Sequence, residues 1–282
     1  MNPTDVEDTA TGVGAARGTS APRLPQTVHP ALLGAGGMAA LLVGLEILPR
    51  TGIVSDRYLL PTSQIAQALA DEAGDPQFWI AVRDTLLAWS LALLIAAVAG
   101  ILIGLLIGSV AFLRSATAST IEFLRPIPSV ALIPLAVVLF GGDLRASLLL
   151  AVYASFWQVL IQVLYGVNDV DPVAADTARS YGLGVLARIR HVVWPTALPY
   201  LLTGVRLAAA VALILSVTAE LVIGSPGLGK RIYVAQESNA TGAIYALVVV
   251  TGLLGLTINL AVRRLERSRL HWHQSIRGEA PQ

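Results

Sequence analysis

The chain has no cysteine in its 282 residues. That excludes disulfides, thiol nucleophiles and thiolate metal sites, and leaves the redox compartment open. Charge is scarce as well: Asp, Glu, Lys and Arg make up 13% of the sequence, against roughly a quarter in a soluble domain. The net charge of +1 offers no bulk attraction for nucleic acid. Lys230 is the sole lysine, so nearly all positive charge is arginine. The four histidines, His29, His191, His271 and His273, do not form a metal set. No Ser/His/Asp arrangement occurs at plausible membrane depth, so neither an enzyme site nor a cofactor is expected.

Long apolar runs fill the space that charge leaves. Hydrophobic residues are 55% of the chain and mean hydropathy is +0.70, as in an all-α polytopic membrane protein. Runs of the required length of roughly 20 residues suggest six spans, near 31–48, 82–108, 122–140, 146–166, 203–223 and 242–262. The third contains Pro126, Pro128 and Pro134, which is tolerable where neighbouring helices satisfy the freed carbonyls. Residues 1–28 are small and polar without apolar periodicity, and read as a disordered tail. They carry Asp5, Glu7 and Asp8, unlike a secretory signal, so the first span is expected to be uncleaved. The expected membrane domain covers 29–263, with a second tail over 264–282.

Six spans put both termini on one side. With that side taken as cytoplasmic, the inner segments hold thirteen basic residues and the outer ones six, which is the positive-inside bias. The long segment 167–202 is then cytoplasmic. Within it, Asp171-Pro172 marks a helix start, Gly182 a helix end, and Trp194-Pro195 the end of a second short helix. A helical hairpin carrying Arg179, Arg188, Arg190 and His191 is too charged for lipid and suits contact with a soluble partner.

Gly224–Lys230 reads GSPGLGK, nearly a phosphate-cradling loop. Arg231 stands where the Mg²⁺-binding hydroxyl belongs, and the topology places the stretch outside. A Gly/Pro turn after the fifth span is the expected structure. Glu220, near the outer end of that span, either lines the pore or gate, or is bonded within the bundle or at the interface. Arg206, at the cytoplasmic end, either snorkels or sits at the inner mouth. Glu46 ends the first span and is expected to reach water. Gly100, Gly104 and Gly108 lie four apart on one helix face and mark a packing surface, within the subunit or against a second copy.

The spacing Asp176-Thr177-Ala178, Gly182, Val192-Val193-Trp194-Pro195 resembles the EAA loop of bacterial ABC-importer permeases, with Asp for Glu, Thr for Ala and Trp for Leu. Arg125–Leu135 with Phe140-Gly141 is similar to the third-span signature of the aliphatic-sulfonate, taurine and nitrate group. Gly166–Pro172, Pro195–Pro199, Gly204–Arg206 and Leu265–Arg267 with Trp272-His273 resemble further parts of that group, covering about 59–273. The resemblance implies a type I importer permease: a homodimer around one pore, moved by two separate ABC ATPase subunits and supplied by an extracytoplasmic binding protein. Val173, Asp176, Thr177, Ala178, Gly182 and Pro195 would then form the ATPase-coupling element. Gly227 and Gly229 would help form the outer gate or face the binding protein. The expected cargo is an aliphatic sulfonate, with nitrate, taurine or a thiamine-precursor pyrimidine as alternatives. The competing reading is an ion-coupled secondary transporter, although no clear internal repeat supports it.

Overall fold

The computed structural model describes residues 30–52 and 59–269. The expected tail over 1–28, and the part of the expected C-terminal tail beyond 269 with His271 and His273, lie outside the described residues. Among the described residues all regular structure is helical: α1 (Pro30–Arg50), α2 (Thr62–Gly74), α3 (Pro76–Ser109), α4 (Ala111–Leu124), a 3₁₀ turn at Ser129–Leu132, α5 (Ile133–Phe140) and α6 (Leu144–Asn168). The chain continues through α7 (Pro172–Ser180), α8 (Val185–Arg188), a π-turn at Ile189–Val193, α9 (Trp194–Ile223), α10 (Leu228–Glu237) and α11 (Thr241–Arg269).

Five helical stretches are long and apolar enough to cross a membrane, or six if a bent pair counts as one span. The bent pair is the expected third span. Instead of one helix over 122–140, α4 and the segment Ser129–Phe140 meet at 80°. The break falls at Arg125–Pro128, where two prolines remove two amide donors from the ladder. The Tyr153 hydroxyl of α6 donates to the Leu124 carbonyl at 2.7 Å, taking up one acceptor at the break.

α6 is central, packed between α3 and α9. The glycine face of α3 explains how closely the first pair approaches. A Cβ on Gly100 would lie 2.8 Å from Val159 Cβ, and one on Gly104 would lie 2.7 Å from Val163 Cγ1. Gly108 faces Val167 in the same way, so the glycine ladder packs within the subunit, against three valines at matching four-residue spacing. Nearer the start of α6, Leu150 and Ala151 bury themselves with Ala92 of α3 and Leu215 and Ala219 of α9. At the far end, Phe78, Leu228, Ala235 and Leu247 join α3, α10 and α11.

Helix ends follow local chemistry. Asp75 accepts from the Gln77 amide at 2.9 Å ahead of α3, with Pro76 in the first turn. Asp143 accepts from Leu144 at 2.7 Å ahead of α6. α1 stands apart, touching mainly α2: the partly exposed Glu46 accepts from the Thr62 hydroxyl at 2.6 Å and the Ser63 amide at 2.9 Å, capping α2 from outside.

Candidate functional site

Two regions collect the residues with chemistry, one at each end of α9. The first is the helical hairpin 169–193. α6 stops at Asn168, and Asp169 is fixed by the Tyr200 hydroxyl at 2.9 Å. Asp171 then accepts from the Val173 amide at 2.8 Å, starting α7 with Pro172 in its first turn. α7 closes at Gly182, whose φ of +71° is the left-handed conformation a glycine enters without strain. The Gly182 amide bonds to Arg179 O at 2.9 Å and the Leu183 amide to Ala178 O at 3.0 Å, satisfying two terminal carbonyls.

The expected coupling residues divide by direction. Val173 is exposed and presents an apolar side chain. Asp176 is also exposed and pairs with Arg179 at 3.1 Å. The Thr177 hydroxyl is spent on Val173 O at 2.7 Å. Ala178 is buried, so it seats α7 on the bundle and offers no outward contact. Tyr181 and Leu186, 81% and 80% exposed, project from the two sides of the Gly182 turn, and Val185 lies beside them. Leu186 and Val185 escaped sequence reasoning. Their signal was present: apolar residues beside Gly182 and Gly184 in a hairpin otherwise rich in arginine.

Pro195 does not end the second helix. The chain stays helical from Val185 into α9, with Pro195 in the first turn of α9. Proline cannot supply the amide for the carbonyl four residues back. The π-turn at Ile189–Val193 immediately precedes it and shifts the bonding pattern to i→i+5 where the α pattern would fail. Trp194 is the first residue of α9 and is partly exposed.

The second region is a buried knot at the other end of α9. Glu220 is fully buried, and its Oε2 accepts from the Thr85 hydroxyl of α3 at 2.8 Å and the Gly229 amide at 3.0 Å. Thr85 in turn accepts from the Leu228 amide at 2.9 Å. Glu220 therefore takes the bonded position within the bundle of the protomer. The GSPGLGK stretch links α9 to α10, and its Gly229 amide donates to the chain's own carboxyl group. Gly224, at φ +82°, ends α9. Gly227, at φ +149°, lies so close to Glu220 that any Cβ would overlap the carboxyl group. A Cβ on Gly229 would fall on the α9 backbone, 2.6 Å from the Leu221 nitrogen.

Around the knot, the Ser147 and Ser225 hydroxyls meet at 2.5 Å. Arg231 bridges α10 to α2, with Nε donating to Glu72 at 2.7 Å and a second contact to Asp75. That guanidinium, with the Gln77 amide, holds the Asp75 carboxyl below its ordinary range. Glu220 Oε1 and the hydroxyl of Ser216, one turn earlier on α9, are buried without a partner. Thr85 was not predicted, and the sequence held no signal for it: it is one hydroxyl in a long apolar run, 135 residues before Glu220.

Arg206 lies on α9 between these regions and pairs with Glu266 of α11 at 3.6 Å, in the part of α11 that runs helical past the expected span end at 262. It borders a cleft of about 540 Å³ between α9 and α11, whose walls include Leu213, Ile214 and Leu256, with Thr251 and Asn259 as its neutral polar groups. Among the described residues no cluster of His, Asp and Glu is suited to a metal ion.

Residues 96–270 match the family described as binding-protein-dependent transport system inner membrane component. The taurine transport system permease protein of Escherichia coli (strain K12) is 31% identical over 249 residues, covering 86% of this chain and 90% of that protein. The nitrate import permease protein of Leptolyngbya laminosa is 27% identical, covering 71% of this chain and 75% of its own length. Among solved structures, a bacterial ABC transporter for alginate import superposes with a TM-score of 0.60 at 16% identity, over 84% of this chain and 96% of that one. An inward-facing methionine ABC transporter superposes at 0.59 with 21% identity, over 69% and 98%. At these identities the superpositions establish the fold, and the sequence matches establish the family. The chain belongs to the binding-protein-dependent inner membrane transport components and is a multi-pass transport permease with the fold of ABC-importer membrane subunits.

Proposed function

We propose that this chain is the pore-forming subunit of an ATP-driven importer for a small organic anion. Two copies would enclose one pore, two separate ATPase subunits would supply the energy, and an extracytoplasmic binding protein would deliver the cargo. The observation that carries the coupling role is the outward tip of the hairpin. Val173, Tyr181 and Leu186 expose apolar surface from a polar, arginine-bearing loop, where water alone would give no reason for it. Such a tip suits an apolar groove in a soluble ATPase. Gly182 fixes its turn, Asp176 and Thr177 stabilise α7, and Ala178 and Pro195 join it to the bundle. In this reading the hairpin and both termini are cytoplasmic, following the arginine distribution.

At the other end, Gly227 and Gly229 would shape the outer closure through their contact with Glu220, which serves as its internal clasp. The ion-coupled alternative gains nothing from Glu220, because that carboxyl is engaged by Thr85 and Gly229 and has no open path. The cleft between α9 and α11 combines aliphatic walls with Arg206 and Asn259, a combination suited to an alkyl group bearing an anionic head. An aliphatic sulfonate or taurine is therefore the preferred cargo, and nitrate or a thiamine-precursor pyrimidine the alternative. Growth of a deletion strain decides between them: loss of growth on taurine or an alkanesulfonate as sole sulfur source supports the proposal. Loss confined to nitrate as sole nitrogen source would replace the cargo. Unchanged uptake after removal of the partner ATPase would end the ATP-driven reading.

A further inference from the structure

Behind the hairpin lies a half-open cavity of about 370 Å³, bordered by the end of α3, α4, the end of α6, α7 and the α8–π segment. Its volume is in the range of small-ligand clefts, ~300–1,000 Å³. Three arginines from three helices line it, Arg114, Arg179 and Arg188, and no acidic side chain does. Arg179 has an outward partner in Asp176, and Arg114 donates to the Asn168 side chain. Arg188 has neither: its Nε is buried without a hydrogen-bond partner, and no carboxylate pairs with it among the described residues. Arg188 as a whole is half-buried, and a guanidinium nitrogen withdrawn from water without an acceptor favours an anion beside it. The planar fork of arginine matches phosphate oxygens in particular.

We propose that this cavity is a binding site for a phosphate group, held by Arg188 and Arg114. Its place beside Gly108 and Ser109, where the long span α3 ends, puts it at the level of the membrane surface. An anionic phospholipid headgroup and free inorganic phosphate present the same chemistry there. An occupant would tie α7 and α8 to α3, α4 and α6, and so restrain the hairpin. That consequence rests on the coupling role proposed above; the binding itself does not.

The test uses the full chain, purified and reconstituted in phosphatidylcholine vesicles with or without phosphatidylglycerol, and lipid retained after re-extraction is measured by native mass spectrometry. Selective retention of phosphatidylglycerol, weakened about tenfold in Arg188→Gln and partly restored in Arg188→Lys, establishes a lipid site. Equal lipid retention, with inorganic phosphate raising the thermal midpoint of the wild type but not of Arg188→Gln, establishes a site for the free anion. No preference for phosphatidylglycerol and no phosphate effect in the wild type overturns the proposal. Unchanged midpoints of the variants in phosphatidylcholine alone exclude misfolding as the cause. ATP hydrolysis with the partner ATPase is recorded separately, so loss of the coupling reading would leave the binding result standing.

Discussion

Thr85 on α3 and Glu220 on α9 meet through one 2.8 Å hydrogen bond, although 135 residues separate them in sequence. The Thr85 hydroxyl also accepts from the Leu228 amide, so a single oxygen joins α3, α9 and α10. Thr85→Val keeps the shape and removes both bonds. The expected cost is about 1–3 kcal/mol, because a buried carboxyl loses a donor and a buried amide its acceptor. Thermal unfolding of the purified protein reads this, together with faster proteolysis around Gly224–Lys230. A midpoint equal to that of the wild type would remove Thr85 from the knot.

Gly227→Ala places a methyl group inside the volume of the Glu220 carboxyl, at a φ that L-residues rarely adopt. Destabilisation of about 1–3 kcal/mol is expected from the overlap alone. Pairing it with Glu220→Ala opens space for the methyl group, so the double variant should lose less than the sum of the single ones. Additive losses would mean that the two residues do not touch.

Leu186→Asp should leave membrane insertion and thermal stability nearly unchanged, since the side chain is largely exposed. Association with the partner ATPase should fall by about tenfold or more, as expected for the loss of an apolar anchor from an interface. Co-purification at wild-type levels would show that the hairpin tip is not the docking surface.

Gly104→Leu forces α3 away from Val163, where even a single added carbon has no room. The expected loss is about 1–3 kcal/mol or more, read as reduced yield and a lower unfolding midpoint. Restoring space with Val163→Ala should recover part of it. The same substitution at Gly252 of α11, where nothing lies within 4 Å, should be nearly silent.

The acid limb of stability should depend on Asp75. Its carboxyl is held below the usual carboxylate range, first by the Arg231 guanidinium and then by the Gln77 amide. A depressed folded-state value means that the carboxylate form stabilises the fold at pH above the ordinary value of about 4. That contribution is lost as pH falls below 4 through the folded-state value. Asp75→Asn should flatten this part of the pH profile of the unfolding midpoint. An identical acid limb in wild type and variant would show that the Asp75–Arg231 pair does not form in solution.

Much of this structure was legible in the sequence where one residue type does one job. The glycine ladder of α3 announced a close helix contact, Asp171-Pro172 a helix start, and Gly182 a turn. Their partners were not legible, because Val159 and Val163 resemble any other apolar residue of a span. The third apolar run read as one span by length and composition, yet Pro126 and Pro128 remove enough backbone donors to bend it by 80°. Trp194-Pro195 read as a helix stop by the same rule and was not one, since a π-turn absorbed the missing bond. GSPGLGK read as a Gly/Pro turn after the fifth span and does link α9 to α10, but nothing local could say that its Gly229 amide would bond Glu220. Long-range hydrogen bonds between single side chains, such as Thr85 with Glu220, leave no periodic trace.

The helical continuity through Pro195 has a mechanical consequence. The 30 residues of α9 span about 45 Å at 1.5 Å each, as one rod with the hairpin attached at its first residue and Glu220 near its last turn. A broken helix at Trp194-Pro195 would have worked as a loose joint, letting the hairpin swing while α9 stayed still. With that joint closed, and Pro199 the one interior proline of α9, a tilt imposed on the hairpin would be passed along the helix toward its far end. There the Glu220 clasp would feel it as a sideways pull on Thr85 and Gly229.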